Sequence, residues 1–183
     1  MLGLAAGCME SSKRDVTPLA LEDLAGRTVE PFRASNTTAI VFLFLSVDCP
    51  ISNRYAPEVR RLRDKFASQP VAWRLVYPGA DDSAEAIGRH VREFDLPGEA
   101  MRDPHLHFTK AARVRVTPEA AVFLPDGRLA YHGRIDDRFA DLSVNRPAPT
   151  RRDLEQALEE ILARKPVSHP ETKGVGCLIQ GLP

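Results

Sequence analysis

Residues 37–47, TTAIVFLFLSV, form an unbroken β-branched and aromatic run that ends in Asp48-Cys49-Pro50 and then turns charged. A run with no polar face reads as a central strand covered on both sides. A helix is predicted from about Pro50 to Ala67, with Tyr55, Val59, Leu62 and Phe66 at helical spacing and Pro57 as a kink inside it. The thiol of Cys49 therefore falls where a buried strand becomes a helix.

The rest of the chain extends this pattern. Residues 18–32 alternate apolar and polar around Ala25-Gly26, a short hairpin. Residues 71–78, VAWRLVYP, read as the next strand, with Trp73 and Tyr77 as core residues. Asp81-Asp82-Ser83 caps a helix through Phe94. Residues 106–114 suggest a short helix leading to Val116-Thr117-Pro118. Residues 120–135 give two strands joined through Pro125-Asp126-Gly127. Thr150 with Asp153 resembles a capping box opening a last helix, Leu154–Ala163, stopped by Pro166. The order β, β, α, β, α, short α, β, β, α describes a mixed sheet with helices on both faces, an α/β sandwich. The expected division is a leader at 1–17, one domain at 18–165, and a tail at 166–183 read as surface coil carrying Cys177.

The 25 basic and 25 acidic residues cancel, so no net field recruits nucleic acid or an anionic membrane. No apolar stretch reaches the roughly 18 to 20 residues of a membrane helix. The opening MLGLAAGCMESS resembles the end of a lipoprotein signal with Cys8 as the lipidated residue, though it lacks a basic start; the plainer reading is a leader with an incidental cysteine. The signal reading implies an extracytoplasmic protein, where disulfides persist. Membrane attachment would come only through lipid at Cys8.

Cys49 stands at the predicted helix N-cap, where unpaired amides and the positive dipole end favour a thiolate. Pro50 suits the first helical position. Asp48 opposes the effect and Arg54 offsets it. The plainer alternative is a buried, inert cysteine.

Strand-Cys-Pro-X-X-helix, a proline within that helix, and Thr117-Pro118 before a Pro-Asp-Gly hairpin resemble the thioredoxin superfamily over roughly residues 18–165. Within it, DCPIS, TPEAAVFLPDGRLAYHGRIDD and the terminal GCLI look like bacterial redoxin-domain proteins related to TlpA-like and peroxiredoxin proteins. The resemblance implies a thioredoxin-like fold, with Thr117 and a cis Pro118 facing Cys49. Two departures matter. Ser52 stands where thioredoxins carry a second cysteine. Against the peroxiredoxin pattern, Ser46 fills the hydroxyl position but Phe42 replaces a proline, and Thr117-Pro118 stands where an arginine is usual.

With Ser52 unable to resolve a mixed disulfide, Cys177 in GVGCLI is the candidate resolving thiol, as in peroxiredoxins that resolve within one chain. A static Cys49–Cys177 staple and two unpaired thiols stay open as alternatives. The implied function is thiol-disulfide oxidoreduction on a protein or small-molecule disulfide, with an electron-donating thiol partner and no cofactor. The alternatives are a thiol peroxidase acting on peroxide and a non-catalytic redoxin that binds copper or a partner protein. A copper(I) or zinc site would draw on Cys49, Cys177 and His132 or His169. His105 and His107 read as surface residues separated by a helix start, Asp136-Asp137 after Arg134 as a strand-end turn, and Arg151-Arg152 as a solvated face. No phosphate loop, Ser-His-Asp signature or paired Cys-x-x-Cys metal sites are present.

Overall fold

A computed structural model describes residues 19–142 and 144–182; Cys8 and the leader lie outside them. Period-two alternation along the apolar run builds two cores at once. In β3 (Ala39–Phe44), Val41 and Leu43 face one side, while Ile40, Phe42 and Phe44 face the other. Every residue of this strand is buried, as a strand with no polar face requires.

β3 lies within a seven-stranded mixed sheet of order β2-β1-β5-β4-β3-β7-β8. Its members are β1 (Leu21–Asp23), β2 (Thr28–Val29), β4 (Val71–Pro78), β5 (Glu99–Asp103), β7 (Glu119–Phe123) and β8 (Leu129–Gly133). β3, β4 and β5 run parallel, while β7 and β8 return antiparallel. The β1–β2 pair is the predicted hairpin. A second, two-stranded sheet joins β6 (Val116–Thr117) to β9 (Cys177–Leu178).

On one face lie α1 (Pro50–Lys65), α2 (Ala84–Glu93) and α4 (Asp153–Leu162), which bury Tyr55, Val59 and Leu62, Ile87, and Leu154, Leu158 and Ile161. α1 continues through Pro57. The other face holds α3 (His107–Ala111), whose Phe108 meets Phe42 at 4.6 Å between ring centroids, with Phe123 and Phe32 completing the aromatic cluster. Helices thus cover both faces, and the chain has a thioredoxin-like α/β fold.

Several local expectations are corrected. The Thr150–Asp153 capping box does not form. Arg152 occupies the N-cap of α4, and the Thr150 hydroxyl donates to Asp137, whose carboxylate also accepts from the Thr150 and Arg151 amides at 2.7 and 2.9 Å. Asp153 pairs instead with Arg134 at 2.7 Å and Arg151 at 3.2 Å. Arg152 is no solvated side chain either, because it reaches the buried Glu58 at 2.5 Å. His105 and His107 are both exposed as expected, but the helix start does not separate them; their rings lie 5.8 Å apart. The tail is ordered. It contributes β9, buries Ile179 against the second core, and places Thr172 against the Tyr131 hydroxyl at 2.8 Å.

Candidate redox site

Two elements bring the site together. β3 delivers the chain to the sheet's carboxyl end, and α1 starts there with Cys49 as its N-cap residue and Pro50 just inside. Cys49 has extended backbone (φ −82°, ψ 109°), no side-chain cap bond forms, and the first turn carries no acid. The amides that open a helix have no intrahelical acceptors, and here no side chain competes for them.

Opposite this helix start, the Thr117–Pro118 peptide bond is cis. The Thr117 carbonyl oxygen lies 3.0 Å from Cys49 Sγ, close enough to accept from the thiol when the cysteine is reduced. β6 carries Thr117, and β9 pairs with it antiparallel, so that Thr117 faces Cys177 and Val116 faces Leu178. That register places Cys177 over Cys49. The two are joined by a disulfide with Cα atoms 6.1 Å apart, inside the usual range for such bonds.

The tail reaches this position on glycines. A Cβ at Gly176 would overlap the Thr117 carbonyl, and one at Gly174 would overlap the Glu119 carboxylate. Burial pushes the Glu119 carboxyl above its ordinary range, although amides of Arg115, Val116 and Gly174 donate to it. A side chain at 176 would hold β9 away from β6, and one at 174 would displace the Glu119 carboxylate.

The remaining expected residues divide. Ser52 is buried one turn along α1, and its hydroxyl has no hydrogen-bond partner among the described residues. Asp48, Pro50 and Arg54 are exposed. The Ser46 hydroxyl bonds to Asp82, which also accepts from the Val47 amide at 3.2 Å. Burial raises the Asp82 carboxyl, opposed by the Val47 and Ser46 bonds and reinforced by the charge of Asp48.

Behind this loop runs a polar chain that the sequence reading missed. Tyr77 OH lies 2.8 Å from His90 Nδ1, His90 Nε2 lies 2.8 Å from Asn53 Oδ1, and Asn53 Nδ2 donates to the Val47 carbonyl at 3.4 Å. Burial holds His90 below the usual imidazole range, so the ring is neutral near pH 7. Asp81-Asp82-Ser83 announced the helix carrying His90, but nothing local linked His90 to Asn53, 37 residues away. His132 lies on β8 beside Glu171 at 3.4 Å. Among the described residues, no group of three or more His, Cys, Asp and Glu side chains is arranged to hold a metal.

No family model matches this chain, and no curated protein matches it by sequence. Solved structures do. An uncharacterised conserved protein from Geobacillus kaustophilus superposes with a TM-score of 0.77 at 24% identity, covering 100% of this chain and 99% of the other. A hypothetical protein from Sinorhizobium meliloti gives a TM-score of 0.76 at 22% identity, over 88% and 89% of the two chains. A secreted Mycobacterium tuberculosis disulfide oxidoreductase homologous to E. coli DsbE gives 0.52 at 19% identity, over 79% and 94%. With its cysteine at the helix start, its cis proline opposite and these likenesses in shape, the chain is a thioredoxin-fold protein.

Proposed function

We propose that the protein is a thiol-disulfide oxidoreductase in which Cys49 attacks a substrate disulfide and Cys177 resolves the mixed disulfide. One observation carries this reading: the disulfide joins the N-cap of α1 to a short tail strand, so opening it leaves one thiolate at a helix start. A staple placed only for stability has no need of that position. The substrate disulfide accepts the Cys49 electron pair, one of its sulfurs leaves as a thiolate, and Cys177 then displaces the other from Cys49. Thr117 and Pro118 border the approach to Cys49. The same reading places the protein outside the cytoplasm, where its disulfide persists; the secreted oxidoreductase that shares its shape supports this.

A glutathione redox titration with peptide mass mapping tests the proposal. A Cys49–Cys177 couple between about −270 and −120 mV is expected, together with disulfide-reductase activity that Cys49→Ser abolishes. A potential below about −300 mV would mark a static staple and overturn the reading. Peroxide consumption that outpaces disulfide exchange would select a thiol peroxidase instead.

A further inference from the structure

The two sulfurs of the bond are not equally open. Cys49 is 2% exposed, whereas Cys177 is part-exposed beside Leu178, which is 77% exposed. β9 lies close along Thr117, with Thr172 bonded to Tyr131 on one side and Ile179 buried on the other, so the tail covers Cys49 and leaves Cys177, half-buried against the same core, the more exposed residue of the two.

Exchange displaces one sulfur from the other in line, and the site of attack is set by access and by which thiolate leaves more readily. Both criteria favour attack on Cys177. The leaving thiolate would then be Cys49, at the uncapped start of α1. Attack on Cys49 would instead expel Cys177, which belongs to the two-residue strand β9 and is not itself the N-cap residue of α1.

We propose that the electron donor enters the oxidised protein through Cys177, so that substrate and donor use different sulfurs of one pair. This rests on the exchange reading above. The donor is a thiol, small or carried on a protein. Its thiolate attacks Cys177 Sγ, forming a donor–Cys177 disulfide. The Cys49–Cys177 bond breaks, and its electron pair stays on Cys49 Sγ. A second donor thiolate attacks the donor sulfur of the adduct and releases Cys177, which takes up a proton. Two donor thiols become one donor disulfide, and one protein disulfide becomes two thiols.

The test uses the oxidised full-length chain with glutathione, quenched by acid within the first turnover, alkylated and mapped by peptide mass. Singly glutathionylated molecules are expected to carry the adduct on Cys177, with Cys49 alkylated, about tenfold over the reverse. A majority on Cys49 would overturn this inference and leave the exchange reading standing. No reaction at either sulfur would overturn both.

Discussion

α1 and α2 cover the same face of the sheet yet open in opposite ways. α2 begins at Ser83, whose hydroxyl accepts from the Ala86 amide at 3.2 Å, and Glu85 adds a negative charge in its first turn. α1 begins at Cys49 with no side-chain cap and no acid in its first turn. The first start is built for stability, since a serine cap contributes about 1 kcal/mol and an acid near the dipole adds a few tenths. The second forgoes both. An uncapped start keeps its amides for whatever charge arises there, and the residue that can supply one is Cys49. The contrast separates a helix start held by a side-chain cap from one left uncapped, the condition that the proposed role of Cys49 requires.

The comparison breaks most sharply when the tether of α1 is cut. Cys177→Ser removes a cross-link closing a separation of 128 residues, which contributes about 4 to 5 kcal/mol in the chain-entropy model. The oxidised wild type should therefore resist denaturant far better than the variant. After reduction, wild type and variant should unfold at nearly the same midpoint. A gap that survives reduction would mean that the Cys177 thiol also stabilises the fold by packing.

Ser83→Ala gives the next effect and acts on α2 alone. Loss of the cap bond should cost about 1 kcal/mol of stability. Alkylation of Cys49 in the reduced variant should proceed at the wild-type rate, measured by iodoacetamide labelling. A changed rate would show that the two helix starts are coupled.

What could be read from the sequence follows how local each cause is. β4 was legible to the residue, because VAWRLVYP is a bounded apolar run, and Pro50 with Ser83 marked two helix starts. β5 was not legible. Its residues Glu99–Asp103 are mostly charged, and its one buried acid, Asp103, is satisfied by the Thr109 amide and hydroxyl at 2.7 and 2.6 Å, beyond the strand itself. β9 was hidden for the same reason: two residues in a glycine-rich tail have no period, and their pairing is fixed by Thr117, sixty residues earlier. The position of Cys49 at the start of α1 and the cis Thr117–Pro118 bond were legible, and Cys177 was a candidate partner although nothing in the sequence marked β9. The second layer, where Asp82 and the His90–Asn53 contact hold residues 46 to 53, depends on side chains from different elements and left no mark in any one segment.

Asp82 is where the two helix starts meet, since it precedes the cap of α2 and accepts from the Val47 amide ahead of α1. Burial raises its carboxyl despite the bonds from Val47 and Ser46, and Asp48 adds to the rise. The sign for stability follows. A carboxyl whose folded value lies above its unfolded value of about 3.9 binds its proton more tightly in the folded state. Its contribution is then most favourable below the unfolded value and is lost as pH rises through the folded one. Asp82→Asn cannot ionise, and its side-chain oxygen can still accept from Val47. Between pH 4 and pH 7 the variant should therefore gain in stability relative to the wild type, by the smallest margin of the three changes. Denaturant titrations of the two oxidised proteins at both pH values measure it. A variant that instead loses ground towards pH 7 would show that the ionised carboxylate, through Val47 and Ser46, is a net support of the loop that carries Cys49.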